Sequence, residues 1–272
     1  MSMNKKLLSS PYIFWSVSFI LIPLCMVFYY GFINDSGGFT LANIGAIAEK
    51  EHLKALVLSL LLSLISTILC LLLAYPLAMI LAQMNVNQNS FIALVFILPM
   101  WMNFLLRTLA WQTLLEKNGV INSVLSVIGL SKMTIINTPY AIILGMVYNF
   151  LPFMILPIYN SLIRLDHDVI NAAHDLGADN VQTFVHVIFP LTLPGVISGI
   201  TMVFVPALTT FVISDLLGGS KILLIGNVIE QAFTQASNWS LGSGLSLVLM
   251  IFIIISIFIS SIFDRNGEGS LL

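Results

Sequence analysis

The sequence has few charged residues. Asp, Glu, Lys and Arg make up only 8% of its 272 residues, and 58% are hydrophobic, whereas an ordinary soluble domain is roughly 25% charged. This composition excludes a water-soluble fold. The ten basic and twelve acidic residues leave a formal net charge of −2, and proteins that bind nucleic acid usually carry a basic patch or stripe. We therefore expect no nucleic-acid partner.

Cysteine is also scarce. The two cysteines, Cys25 and Cys70, lie in apolar runs, where an isolated thiol behaves as a small buried hydrophobe. Neither a disulfide framework nor a metal site is expected. The glycine-rich run at 218–227 lacks the residue order of a phosphate-binding P-loop, so it is interpreted as a half-entering or surface turn near the outer face. No cofactor is expected to bind to this chain.

Long apolar runs are what the sequence does contain. A helix needs about 20 mostly apolar residues to cross a bilayer, because it rises about 1.5 Å per residue. Six stretches qualify, near 11–32, 55–82, 91–115, 140–163, 191–213 and 239–263. All are expected to be helical, since a lipid-exposed backbone must satisfy its own hydrogen bonds. They recur without a linker, which predicts an all-α integral membrane protein with one domain over residues 1–272.

The orientation of these spans is weakly indicated. The first stretch is longer than a signal-peptide core and no small-residue cleavage site follows it, so it is expected to be a retained span. Six crossings place both termini on the same side of the membrane. The basic residues are nearly balanced between the two sides, but Lys5 and Lys6 stand beside the first span. Because the first helix usually dominates, this pair favours a cytoplasmic N-terminus.

The longest polar interruption is the 164–190 segment, between the fourth and fifth spans. It contains four of the twelve acidic residues and three of the four histidines, so it cannot lie in lipid. Its apolar residues recur at helical spacing before and after Gly177, which predicts two short amphipathic helices joined at this glycine. Pro190 is expected to end the second helix, because proline limits continuation into the next span. The predicted result is a stiff protruding elbow.

The same segment resembles the EAA loop of ABC importer permeases, whose pattern is Glu-Ala-Ala, three residues, glycine, nine residues and Ile-x-Leu-Pro. Here it reads Asn171-Ala172-Ala173, then Gly177, then Val187 to Pro190, with both spacings kept. The resemblance implies a type I importer permease with six spans, N-in/C-in, in the bacterial cytoplasmic (inner) membrane. It also implies that the loop is cytoplasmic and that its first helix docks in a groove of an ATPase subunit.

One position departs from the family pattern, because Asn171 stands where the family has its leading glutamate. If that carboxylate normally meets a basic group of the ATPase, the charge must come from elsewhere. Asp168 and Asp175 lie three residues before and four residues after Asn171, on one helical face. The alternative for each aspartate is a solvated surface position. The coupling residues implied by the resemblance are Asp168, Asn171, Ala172, Ala173, Asp175, Gly177 and Pro190.

Two further stretches, 98–122 and 205–233, look like the first permease subunit of spermidine/putrescine importers. This likeness implies a polyamine substrate, while related permeases for iron, sulfate, molybdate or phosphonates stay as alternatives. A polyamine path should offer carboxylates for ammonium groups and aromatic faces for cation–π contact. Interfacial anchoring, packing or interhelical hydrogen bonds would also explain the aromatic and amide residues. The candidate path residues are Asp215, Phe211, Ser214, Tyr148, Asn149 and Trp101.

Arg107 lies within the third predicted span, where an arginine costs roughly 2.5–3.5 kcal/mol to insert. A cation does not attract a polyamine, so Arg107 is interpreted as a structural or gating residue that pairs with Asp215 or a carbonyl. The alternative is that its side chain snorkels outward. Prolines within spans three to five would permit the bending that alternating access needs.

Together these features predict a conduit that is not itself an enzyme. ATP and magnesium would be used by two separate ATPase subunits. The other expected partners are a homologous second permease subunit, an extracytoplasmic substrate-binding protein and membrane lipid. A membrane-embedded enzyme would need clustered ionisable residues within the spans, which hold almost none. A secondary transporter would show paired broken helices in inverted halves, and an ATP requirement separates it from an importer.

Overall fold

The computed structural model describes residues 11–34, 37–83 and 101–268. Every named element in these ranges is a helix, as predicted, apart from an isolated antiparallel bridge between Ile33 and Phe39. In chain order the helices are α1 (Pro11–Gly31), α2 (Ala42–Gly45), α3 (Lys50–Gln83), α4 (Phe104–Leu115), α5 (Val120–Val127), α6 (Pro139–Leu162), α7 (His167–Asp175), α8 (Asn180–Thr209), α9 (Val212–Gly218), α10 (Ile225–Thr234) and α11 (Trp239–Glu268).

Five of the described helices are long and apolar enough to cross a membrane, namely α1, α3, α6, α8 and α11. They match predicted spans one, two, four, five and six. Short 3-10 turns, Ala46–Ala48 and Gly219–Lys221, follow α2 and α9. A π-helical turn, Val17–Leu21, lies inside α1.

The third predicted span, 91–115, begins outside the described residues. Its described part is not one continuous helix, because the chain leaves helical geometry at Met102–Asn103 and α4 begins at Phe104. The Asn103 side chain caps α4: its Oδ1 accepts hydrogen bonds from the backbone N–H groups of Leu105 (2.9 Å) and Leu106 (3.3 Å). An asparagine that satisfies the first N–H groups of a helix favours a new start at that point. The count of six spans stays a prediction.

The chain divides into two compact units. The first comprises the described residues within 1–55 and 228–252, and the second comprises those within 56–227 and 253–272. In the first unit α1 packs closely on α11, where a Cβ added to Gly31 would lie 2.5 Å from Leu247 Cδ1. Asn43 closes the turn after α1, because its Nδ2 donates to the Ile33 carbonyl over 2.9 Å. Glycine at the helix contact thus lets two spans approach, as is usual in membranes.

The second unit contains most of the buried core, and α6 packs along α8 in it. Small residues form this contact: a Cβ added to Gly195 would lie 2.6 Å from the Pro157 carbonyl, and one added to Gly199 would lie 2.7 Å from Met154 Sδ. The described part of α11 in this unit joins α8 through a hydrogen bond between the hydroxyls of Thr201 and Ser260. Close backbone approach and hydroxyl bonds stabilise membrane helices that gain little from hydrophobic burial.

The prediction that Pro190 ends a separate short helix was wrong. The helix α8 runs unbroken from Asn180 to Thr209, through the elbow and into the fifth span. Its second turn is π-helical, Phe184–Ile188, and the N–H of Phe189 donates to the Phe184 carbonyl five residues earlier. A proline removes a donor and crowds the carbonyl four residues before it, and the widened turn relieves both problems. Pro190 is therefore accommodated near the start of the following α-helical turn.

Candidate functional site

The first helix of the 164–190 segment, α7, has one face that is exposed. Asp166 caps it, since its Oδ1 accepts a hydrogen bond from the Asp168 N–H over 2.9 Å. The apolar side chains of Val169 and Leu176 are exposed, Leu176 by 89%. This exposed apolar stripe is the kind of surface that docks in a groove of another protein.

The predicted coupling residues are spread over the outside of this helix and the start of α8. All of them are exposed apart from Ala173, which is half-buried. The exposed residues are Asp168, Asn171, Ala172, Asp175, Gly177 and Pro190. Asp168 lies in the first turn of α7 and Asp175 is its last residue, so the helix dipole favours the charge of the first and opposes that of the second.

Gly177 makes the predicted turn. Its φ is +86°, and a Cβ added there would meet nothing within 4 Å, so the conformation and not a neighbour requires glycine. The Ala178 N–H donates to the Ala173 carbonyl (3.0 Å) and the Gly177 N–H donates to the His174 carbonyl (2.9 Å). This pair of bonds is the Schellman motif that ends many helices.

A capping box then starts α8. The Gln182 N–H donates to Asp179 Oδ1 over 2.7 Å, and the Asp179 N–H donates back to Gln182 Oε1 over 3.0 Å. Reciprocal bonds of this kind satisfy two backbone donors at once. The elbow is therefore fixed at both of its corners, by Gly177 and by the Asp179–Gln182 pair.

An aromatic cluster attaches the elbow to the second span. The Tyr75 ring lies 5.6 Å from the Phe184 ring and 5.8 Å from the Phe189 ring. The Tyr75 hydroxyl also forms a 2.7 Å hydrogen bond with Thr192 Oγ1. Helix α7 packs against the π-helical turn that carries Phe184, so it lies next to the contact between α3 and α8.

At the other end of the fifth span the helix breaks. The backbone of Thr210 is extended (φ −66°, ψ 137°), and α9 begins two residues later at Val212. Gly226 lies against the break, where an added Cβ would be 2.8 Å from the Thr209 carbonyl. Irregular backbone at membrane depth is tolerated where protein surrounds it or where it lines a cavity.

Asn227 organises this break, and sequence reasoning missed it. Only 1% of its side chain is exposed. Its Nδ2 donates to Asp215 Oδ1 (2.6 Å) and to the Phe211 carbonyl (3.1 Å). Its Oδ1 accepts from Ser214 Oγ (2.5 Å) and from the Leu224 N–H (3.0 Å). One amide thus satisfies four groups that follow the break.

The 218–227 run was predicted to be a half-entering or a surface turn, and the burial of its second half excludes the surface form. The half-entering form stays a prediction. Residues 224–227 are buried, and the Ile225 N–H donates to Ser59 Oγ over 2.8 Å. An asparagine inside an apolar run was the available signal, since a buried amide needs partners. Those partners lie up to 16 residues away, so the sequence alone does not show them.

The predicted path residues separate into two groups. Asp215 and Phe211 are exposed beside the break, whereas Ser214 is fully buried, and its single hydroxyl hydrogen is shared between Asn227 Oδ1 and the Phe211 carbonyl, 2.5 and 2.8 Å away. Asn149 is also buried, and its Nδ2 donates to the Gly145 carbonyl of its own helix over 2.8 Å. These positions suit Ser214 and Asn149 to supporting the site and not to meeting a solute. Trp101 is exposed.

Arg107 is buried in protein, with 7% of it exposed. Its guanidinium carbon lies 6.0 Å from the centre of the Tyr148 ring, and that ring lies 5.2 Å from the Trp111 ring in an edge-to-face arrangement. A cation over an aromatic face is attracted by the ring quadrupole. Helix α9, which carries Asp215, packs against both α4 and α6. The pairing of Arg107 with Asp215 stays a prediction.

The fold is that of solved ABC importer permeases. A bacterial ABC transporter that imports the polysaccharide alginate matches with a TM-score of 0.79 at 15% identity, over 97% of this chain and 96% of that chain. The MetNI methionine ABC transporter matches with a TM-score of 0.57 at 18% identity, over 79% of this chain and 95% of that chain.

Sequence comparison gives the family. Residues 44–268 match the family described as binding-protein-dependent transport system inner membrane component, and the chain belongs to this family. It is 37% identical over 253 residues to the spermidine/putrescine transport system permease protein PotB of Haemophilus influenzae, covering 90% of this chain and 88% of that protein. The Escherichia coli K12 PotB is 36% identical over 245 residues, covering 87% and 89%. The resemblance seen in the 164–190 segment is thereby confirmed, and the chain is a multi-pass protein of the cytoplasmic membrane.

Proposed function

We propose that this chain is the permease subunit of an ATP-driven importer of polyamines such as spermidine and putrescine. The observation that supports the substrate class is identity of 36–37% to PotB proteins over about nine-tenths of the chain. The exposed carboxylate of Asp215 beside the break in the fifth span suits this substrate, because carboxylates attract ammonium groups. The whole chain would act as one permease domain with both termini in the cytoplasm.

In this proposal the energy comes from partner subunits. Two ATPase subunits would bind and hydrolyse ATP with magnesium, while this chain and a homologous second permease subunit would form the path. An extracytoplasmic binding protein would deliver the solute. The 164–190 segment would receive the ATPase movement through the exposed stripe of α7, and the Tyr75 cluster would pass it to the spans. Deleting Asp168–Leu176 is expected to abolish copurification with the ATPase.

At the outer end, the proposed route passes Asp215 and the exposed ring of Phe211. Asn227 would hold the Asp215 carboxylate in place, and Arg107 with Tyr148 would form a structural or gating contact nearby. Trp101 and Tyr148 are the other exposed candidates. Ser214 and Asn149 would support the helices that carry these groups.

Uptake of radiolabelled spermidine into proteoliposomes containing the assembled transporter tests the proposal. Uptake should require ATP on the side of the vesicle membrane where the ATPase subunits lie. An ion gradient without ATP should drive no spermidine uptake. Excess putrescine should compete, whereas iron chelates, sulfate, molybdate and phosphonates should not. If one of these other solutes competed, it would become the proposed substrate in place of a polyamine. Uptake driven by an ion gradient without ATP would identify a secondary transporter.

A further inference from the structure

Three helices of the second unit meet around a buried cation. Helices α4, α6 and α9 each pack against the other two. Arg107 on α4 is buried, and its guanidinium carbon lies 6.0 Å from the centre of the Tyr148 ring on α6. Asp215 is exposed on α9. The packing of these helices therefore gathers a guanidinium group, an aromatic ring and a carboxylate in one region.

The Tyr148 ring is held in place by its neighbours. Trp111, one turn along α4 from Arg107, packs against it edge to face with 5.2 Å between the ring centres. Helix α9 lies close against α6, since a Cβ added to Gly145 would be 2.9 Å from Ile213 Cγ2. The Tyr148 side chain is nevertheless 37% exposed, so a second cation can reach a ring that Arg107 already contacts.

The guanidinium group of Arg107 has the same chemical preferences as the ammonium groups of a polyamine. Both bind carboxylates, and both are attracted to the faces of aromatic rings. An arginine side chain does not lose its proton in a protein, and salt screens a buried charge poorly. Arg107 is thus a permanent positive charge beside the proposed route, where it repels any other cation that approaches the same ring.

We propose that Arg107 is an internal competitor of the transported polyamine. It occupies the Tyr148 ring while the route is empty, and its charge keeps binding of the polyamine near Asp215 weak enough for the solute to leave. Movement through a path requires sites that bind well enough for entry and weakly enough for release. This inference rests on the proposed function and gives Arg107 a part in solute release.

Uptake kinetics in proteoliposomes containing the assembled transporter test the proposal. In Arg107→Gln the competitor is gone, so the spermidine KM should fall by about fivefold, and kcat should fall as well because the solute leaves more slowly. Arg107→Met fills a similar volume and serves as the second variant if the glutamine variant does not assemble. Arg107→Lys keeps a positive charge and should lower the KM least. Lys117→Gln removes a cation from an exposed loop, and as the matched control it should change neither constant.

The number of charges on the solute separates competition from a structural role. Spermidine has three ammonium groups and putrescine has two, so the loss of the Arg107 charge should lower the KM of spermidine more than that of putrescine. An equal fall for the two solutes, or a KM that is unchanged or raised in the glutamine and methionine variants, would overturn the inference. If the unmodified transporter took up no spermidine, the proposed function itself would be wrong, and this inference with it.

Discussion

Asn227 Nδ2 lies 2.6 Å from Asp215 Oδ1 and donates to it a hydrogen bond. The donor is buried at the start of α10, and the acceptor is exposed on α9 beside the break in the fifth span. The buried amide of Asn227 thereby fixes the exposed Asp215 carboxylate. The same amide also donates to the Phe211 carbonyl beside the helix break. The backbone geometry of the break and the orientation of the Asp215 carboxylate therefore both depend on Asn227.

Replacing Asn227 with alanine should loosen the break. The substitution removes the amide oxygen that accepts from the buried Leu224 N–H, and such a loss costs roughly 1–3 kcal/mol. A lower thermal unfolding midpoint in detergent and slower uptake are expected. Asn118→Ala, at an exposed loop asparagine, should change neither measurement. Wild-type stability of Asn227→Ala would show that the network contributes little.

Removing the charge of Asp215 should weaken solute recognition. Asp215→Asn keeps the shape of the side chain and its ability to accept from Asn227, but it loses the attraction for an ammonium group. The spermidine KM should rise by about fivefold, as for a partly exposed ion pair, with unchanged expression. Glu116→Gln, at an exposed acid of a loop, serves as the control. An unchanged KM would remove Asp215 from the route.

The predicted pairing of Arg107 with Asp215 is best measured by a double-mutant cycle. Arg107→Gln and Asp215→Asn are compared singly and together by thermal unfolding. If the two side chains interact, their effects should be non-additive by at least about 0.5 kcal/mol. If the two substitutions changed stability additively, Arg107 and Asp215 would not interact. The contact with the Tyr148 ring would then be the one that holds Arg107.

The apolar stripe of α7 should be required for ATPase binding. Leu176→Asp changes an 89% exposed side chain, so the fold should tolerate it, but a charge in a docking groove should reduce copurification with the ATPase by about tenfold or more. Val181→Asp is the matched control, since Val181 is an exposed apolar residue on the neighbouring helix. If both variants copurified with the ATPase as well as the unmodified chain does, this face of α7 would be excluded as the ATPase-binding surface.

The packing of α6 on α8 should tolerate no side chain at Gly195. Gly195→Val would force a Cβ to within 2.6 Å of the Pro157 carbonyl, and overpacking of this kind costs roughly 1–3 kcal/mol. Expression and the unfolding midpoint should both fall. Gly45→Val is the comparison, because a Cβ at Gly45 meets nothing within 4 Å. A stable Gly195→Val protein would mean that the two helices separate easily.

The sequence was informative where one local property decides the structure. The apolar runs predicted the five long helices, because a bilayer demands length and continuous hydrophobicity. Gly177 marked the turn of the elbow, since the Schellman motif needs a residue that adopts positive φ without strain. Asp215 was singled out because a carboxylate near a span is rare.

Prediction failed where the structure depends on distant partners or on a change of helical period. Pro190 suggests a helix end, and nothing in the neighbouring residues reveals the π-helical turn that accommodates it. Asn227 bonds to residues 12 to 16 positions earlier, so its role follows only from tertiary structure. Asn103 was overlooked because the apolar residues on both sides of it suggested one continuous span.

The π-helical turn Phe184–Ile188 adds one residue to a turn of α8, and one residue corresponds to about 100° of rotation around a helix axis. The parts of α8 before and after this turn are offset by that angle. One unbroken helix can then direct a polar side toward water next to α7 and an apolar side toward lipid. The direction in which α7 points is therefore set by a count of residues inside its neighbouring helix, and removing one of them would rotate the elbow about the axis of the fifth span.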